Sequence, residues 1–73
     1  MNNIVVKIEK SGNRFNAFDS DGKKYTSEIT TGARKRAYLS GNALEQRVNK
    51  AGKNYWWSVP MSEFESSNTT VFD

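Results

Sequence analysis

The sequence predicts an α+β domain: a small antiparallel sheet of about four strands, one helix, and an acidic C-terminal tail. Three observations carry this. Short β-branched and aromatic segments alternate between apolar and polar side chains and are separated by Gly, Asn and Asp clusters, as hairpin strands are. One segment, Asn42 to Gly52, carries the cap and stop residues of a helix. The last residues are polar and hold acids without bases.

In order along the chain, Ile4, Val6 and Ile8 share one face of a first strand, with Val5, Lys7 and Glu9 opposite. Lys10-Ser11-Gly12-Asn13 is turn material, and Arg14 to Phe18 then sets Phe15 and Ala17 against Arg14, Asn16 and Phe18. A second turn, Asp19-Ser20-Asp21-Gly22, leads to a third expected strand over 24–30, with Tyr25, Ser27 and Ile29 inward. Residues 33–39 read equally as helix or strand. The helix is expected over 43–51, capped by Asn42 with Glu45 reaching back, packed by Leu44 and Val48, and stopped by Gly52. A competing reading of the same residues is a hairpin closed at Lys50-Ala51-Gly52-Lys53. The last strand, Asn54 to Val59, ends at Pro60, which has no N–H to donate. Ser62 to Glu65 could form one capped turn. One binding domain is therefore expected over residues 1–64, followed by a flexible acidic tail over 65–73.

The expected core comprises Ile4, Val6, Ile8, Phe15, Tyr25, Ile29, Leu39, Leu44, Val48, Trp57 and Val59, and Val48→Asp is expected to unfold the domain. With 73 residues, 36% of them apolar, that core is small. A single domain of this size holds only about 3–5 kcal/mol in reserve.

Composition excludes several functions. Without cysteine there is neither a disulfide framework nor a thiolate zinc site, and without histidine the commonest metal ligand and neutral-pH base are missing. No catalytic, metal or cofactor-binding residue emerges, so no enzyme activity and no cofactor are expected. Asp19-Ser20-Asp21-Gly22 superficially matches the start of a calcium loop, but the twelfth position from Asp19 is Thr30 where such a loop needs Glu. No apolar run, Ile4 to Val6 and Tyr55 to Trp57 included, exceeds three residues, far short of a membrane span of roughly 20. Met1 is followed by Asn2 and Asn3 and not by the basic and apolar regions of a signal peptide, so export is not expected.

What remains is binding. All eleven Lys and Arg lie in residues 1–60 against five acids, a formal +6, whereas residues 61–73 hold three acids and no base. Arg34-Lys35-Arg36 is the densest basic run and a candidate for contact with phosphate or acidic protein. Alternation can bury Trp57 with Tyr55, which then turns Trp56 outward; one of the two tryptophans should be exposed, alternation alone leaves open which, and Trp56 is the candidate anchor or stacking surface. Phe18 and Arg14, sharing one face of the second strand, complete the candidate set. Two readings fit: a basic single-stranded nucleic-acid-binding β-domain using Phe18, Tyr25, Tyr38 or Trp56, or a protein-binding domain that accepts an extended segment at an open sheet edge.

Read whole, from Met1-Asn2-Asn3-Ile4-Val5-Val6-Lys7-Ile8 through Lys53-Asn54-Tyr55-Trp56-Trp57 to Asn68-Thr69-Thr70, the chain resembles the small transcription regulators of lytic phages of Xanthomonas that bind bacterial RNA polymerase. The resemblance covers the full length in size and overall character and rests on no single motif, so it transfers no contact residue. It implies a non-catalytic protein in the host bacterial cytoplasm that binds the large polymerase subunits, inhibits σ-dependent initiation and promotes antitermination; the sequence itself offers no hint of a dimer, so a monomer is expected. Nucleic acid would be met only through the polymerase complex, and no membrane is involved.

Overall fold

The computed structural model describes residues 4–68. Strands β1 (Val5–Ser11), β2 (Arg14–Phe18), β3 (Asn42–Val48) and β4 (Asn54–Pro60) form one antiparallel sheet in the order β2-β1-β3-β4. Helix α1 (Thr31–Ser40) follows a single 3-10 turn at Thr26–Glu28, and helix α2 (Met61–Asn68) follows β4 directly. The α+β class and the four-stranded antiparallel sheet agree with expectation. Among the described residues no helix is long and apolar enough to cross a membrane.

β1 and β2 are joined by Gly12-Asn13, with Ser11 opposite Arg14. Gly12 has φ +60, as the first central position of a type II′ hairpin turn requires. Each face of the sheet has its own cluster. On one, Val6, Ile8, Ala17 and Leu44 pack with Tyr25, Ile29 and Ala37, flanked by half-buried Ile4, Phe15, Ala33 and Trp56. On the other, Val5, Ala43 and Val59 pack under Phe64 and Met61 of α2. Adjacent residues in β1 (Val5, Val6) and β3 (Ala43, Leu44) are therefore buried on opposite faces.

Several expectations are overturned. Residues 24–30 are not a strand: after one bridge between Phe18 and Lys24 the chain turns through Thr26–Glu28, with Glu28 N–H donating to Tyr25 O. Strand alternation would have turned the Ser27 hydroxyl inward. The turn leaves Ser27 exposed and buries Tyr25 and Ile29 together. Residues 43–51 are not a helix but β3 and its hairpin, the competing reading; sheet pairing on both sides of β3 overrides local helix signals. The strand signature is the ion pair Glu45–Arg47, two residues apart on one face and 2.7 Å in length, which a helix would splay.

The helix lies instead at α1, within the segment whose type the sequence left open. Thr30 Oγ1 accepts from Ala33 N–H at 3.2 Å to start it, and Gly41, at φ +71, ends it by donating to Tyr38 O. Its contact with the sheet is made by Ala37, whose small side chain lets the backbone lie close; Leu39, expected in the core, is 70% exposed on the far side. Val48 and Trp57, also expected inside, are 64% and 53% exposed. Ser62 to Glu65 forms more than one turn, being part of α2, so residues 65–68 of the expected tail are helical; residues 69–73 lie outside the described residues.

Candidate functional site

The two outer edges of the sheet differ. On β2, the groups of Phe15 and Ala17 point away from β1, and both carbonyls are occupied: Ala17 O accepts from Tyr25 N–H at 2.9 Å, and Phe15 O from Arg34 Nη1 at 2.6 Å. On β4, Asn49 N–H donates to Lys53 O, which fixes the alternation of the β3–β4 ladder. The pairs Arg47–Tyr55, Glu45–Trp57 and Ala43–Val59 then exchange hydrogen bonds, while Asn54, Trp56 and Ser58 aim their N–H and C=O groups outward. The bond from Gln46 N–H to Ile4 O on the other side of β3 agrees with this parity. No described strand pairs with that outer side.

β4 contains no charged residue. Edge strands are ordinarily protected by inward-pointing charges, bulges or a covering segment; here only Pro60 at one end serves. Beside the edge, Tyr55 and Trp57 meet edge-on with centroids 6.4 Å apart and planes at 90°. Both are exposed because α2, eight residues long, covers only the Val59 end of their face. Sequence alternation correctly grouped Tyr55, Trp57 and Val59. It could not say how far along that face the cover reaches.

The two cations that lie against rings on this aromatic face are already matched. Lys7 pairs with Glu9 at 3.1 Å and lies 5.7 Å above the Phe64 ring; Arg47 pairs with Glu45 and lies 5.5 Å from the Trp57 centroid. The hydrogen bond to Glu45 raises the Arg47 pKa above its ordinary value. Single-stranded nucleic-acid platforms set aromatics beside cations free to meet phosphate. Here the cations beside the aromatics already have carboxylate partners.

The residues singled out from sequence scatter. Trp56 is not the outward tryptophan: it is half-buried and packs edge-on against Tyr25, centroids 5.6 Å apart. Phe18 is half-buried opposite Lys7 on the α2 side of the sheet. Lys35 and Arg36 are exposed on α1, whereas Arg34 is half-buried and turned back toward β2. Only Arg14 and Arg34 come together, in a groove beside β2 that Lys24 also lines. Sequence reasoning missed Trp57, Tyr55 and Lys24. The alternation that assigned Trp57 inward already contained the needed parity, and Lys24 became visible only once residues 24–30 ceased to be a strand.

No grouping of three acidic side chains that could hold a metal ion occurs among the described residues. Comparison with protein-family models, curated proteins and solved structures finds no match to this chain.

Proposed function

We propose that this chain is a non-enzymatic regulator that binds bacterial RNA polymerase in the host cytoplasm by accepting an extended segment of a large polymerase subunit along the outer edge of β4. The observation that carries the docking mode is that edge: a seven-residue uncharged strand with outward backbone groups at Asn54, Trp56 and Ser58, flanked by exposed Tyr55 and Trp57. Strand addition gains affinity from main-chain hydrogen bonds and specificity from alternate side chains, and tryptophan and tyrosine are the commonest anchors of such contacts. The resemblance to small phage regulators supplies the partner and the consequence, interference with σ-dependent initiation and read-through of terminators.

Ser58→Pro tests the docking mode. Proline at an outward position removes one N–H from the free edge without breaking a backbone bond to β3, losing there only the exposed hydrogen bond that Asn42 Nδ2 donates to Ser58 Oγ at 3.2 Å, and is tolerated on edge strands. The variant is expected to melt close to the parent and to bind immobilised RNA polymerase at least about tenfold more weakly, with Trp57→Ser weakening binding similarly. Parent protein that fails to bind purified polymerase overturns the partner. Parent and Ser58→Pro binding with equal affinity overturns the edge.

A further inference from the structure

The groove between β2 and the start of α1 has a volume of about 280 Å³ and is lined by three cationic side chains, Arg14, Lys24 and Arg34, together with Asn13, Thr26 and Thr31, and by no carboxylate. Arg34 is the informative member. The residue is half-buried, and its guanidinium is held on neutral acceptors only: Nη1 donates to Phe15 O at 2.6 Å, Nη2 to Thr31 Oγ1 at 2.9 Å, and Nε to Thr30 O at 3.5 Å. No described Asp or Glu pairs with it, nor with Arg14 or Lys24. This is the reverse of the aromatic face, where Lys7 and Arg47 each have a carboxylate.

A guanidinium fixed on neutral acceptors without a counter-charge attracts an anion, and two of its five N–H donors remain for a ligand. Arginine's planar fork matches the oxygens of phosphate, and three cations suit a dianionic phosphomonoester better than a single carboxylate. The side chains of Asn13, Thr26 and Thr31 add polar groups around the same space, whose volume lies at the low end for ligand sites. We infer that this groove is an oxyanion site for a phosphate group, with Arg34 as its fixed donor and Arg14 and Lys24 as mobile cations that close on the ligand. The inference is independent of the β4 edge and of the polymerase reading.

The test is a titration of the isotope-labelled full chain followed by amide NMR, using inorganic phosphate, a nucleoside 5′-monophosphate and a short single-stranded oligonucleotide at ionic strength held constant with sodium chloride. Saturable shifts at the amides of Asn13, Lys24 and Thr31 are expected. Arg14→Gln and Lys24→Gln, which remove no internal hydrogen bond, are each expected to keep the parental melt and to weaken binding about fivefold. Tighter binding of the monophosphate than of the oligonucleotide would assign a phosphomonoester, and the reverse a backbone diester; either supports a phosphate site. If phosphate moves these amides no more than sodium chloride does, or if both variants bind as tightly as the parent, the groove is only a solvated basic rim.

Discussion

Asp19 and Asn49 head turns of the same construction, yet the segments that leave them behave differently. In the first, Asp19 Oδ1 accepts from Asp21 N–H and Lys23 N–H, at 2.9 and 2.8 Å, while Gly22 N–H donates to Asp19 O and Asp19 N–H to Lys23 O. In the second, Asn49 Oδ1 accepts from Ala51 N–H and Lys53 N–H, at 2.9 and 3.0 Å, with Gly52 and Lys53 repeating the backbone bonds. Past Lys23 the chain makes one bridge and leaves the sheet; past Lys53 it continues as a seven-residue strand. The turn therefore reverses the chain without deciding whether the next segment joins the sheet. Tyr25-Thr26-Ser27-Glu28-Ile29 has two core residues four apart and folds over the sheet, whereas Tyr55-Trp56-Trp57-Ser58-Val59 is β-prone throughout and adds to it. One turn thus leads to a closed edge at β2, the other to an open edge at β4.

The closed edge should be the costlier to disturb. Tyr25 is 5% exposed, and its N–H holds Ala17 O. Its ring also meets Trp56 and lies under Lys23 Nζ at 4.9 Å. Tyr25→Ala is expected to cost about 3–5 kcal/mol, comparable with the whole reserve of a domain this size, and to abolish the cooperative melt seen by circular dichroism. A variant melting close to the parent would mean that the Tyr25 side chain is not what holds the segment over the sheet. Arg34→Met keeps the aliphatic stem and removes the donors to Phe15 O and Thr31 Oγ1. Because water can reach that edge, about 1–2 kcal/mol is expected, read as a lower urea midpoint at unchanged slope. An unchanged midpoint would show that Arg34 contributes nothing to closing β2.

The contrast between the edges also marks what the sequence makes legible. β1, β2 and β4 follow from alternation and turn chemistry because each is decided locally, by period-2 apolar residues between Gly, Asn and Asp. β3 is less legible: Asn42, Glu45 and Gly52 satisfy every local rule for a helix, and only pairing with β1 and β4 makes Asn42–Val48 a strand. For α1 the strongest inward signal is one alanine, Ala37, too small to register as an apolar stripe. For the candidate site, alternation paired Arg14 with Phe18 and Tyr55 with Trp57 on common faces. Which face is covered depends on the reach of α2, and the meeting of Arg14 with Arg34 depends on where α1 begins.

Val48 gives the mildest and most direct comparison with the core. It lies on the same face of the sheet as Leu44, two alternations further along β3, so parity alone predicts that it is buried. Tyr25, Ile29 and Ala37 reach Leu44 but not Val48, which is 64% exposed opposite Asn54. Val48→Asp is therefore expected to change stability by no more than about 1 kcal/mol, most of it lost β-propensity, and to leave the melt cooperative. Val6→Asp, in the same sheet and facing the same way, places a carboxylate where nothing is exposed and no described base is available, and should leave no folded population. If the two aspartate substitutions proved equally destructive, the cover over this face would have to extend past Leu44 to the end of the β3–β4 hairpin. The β4 edge beside that hairpin would then be less open than the ladder alone implies.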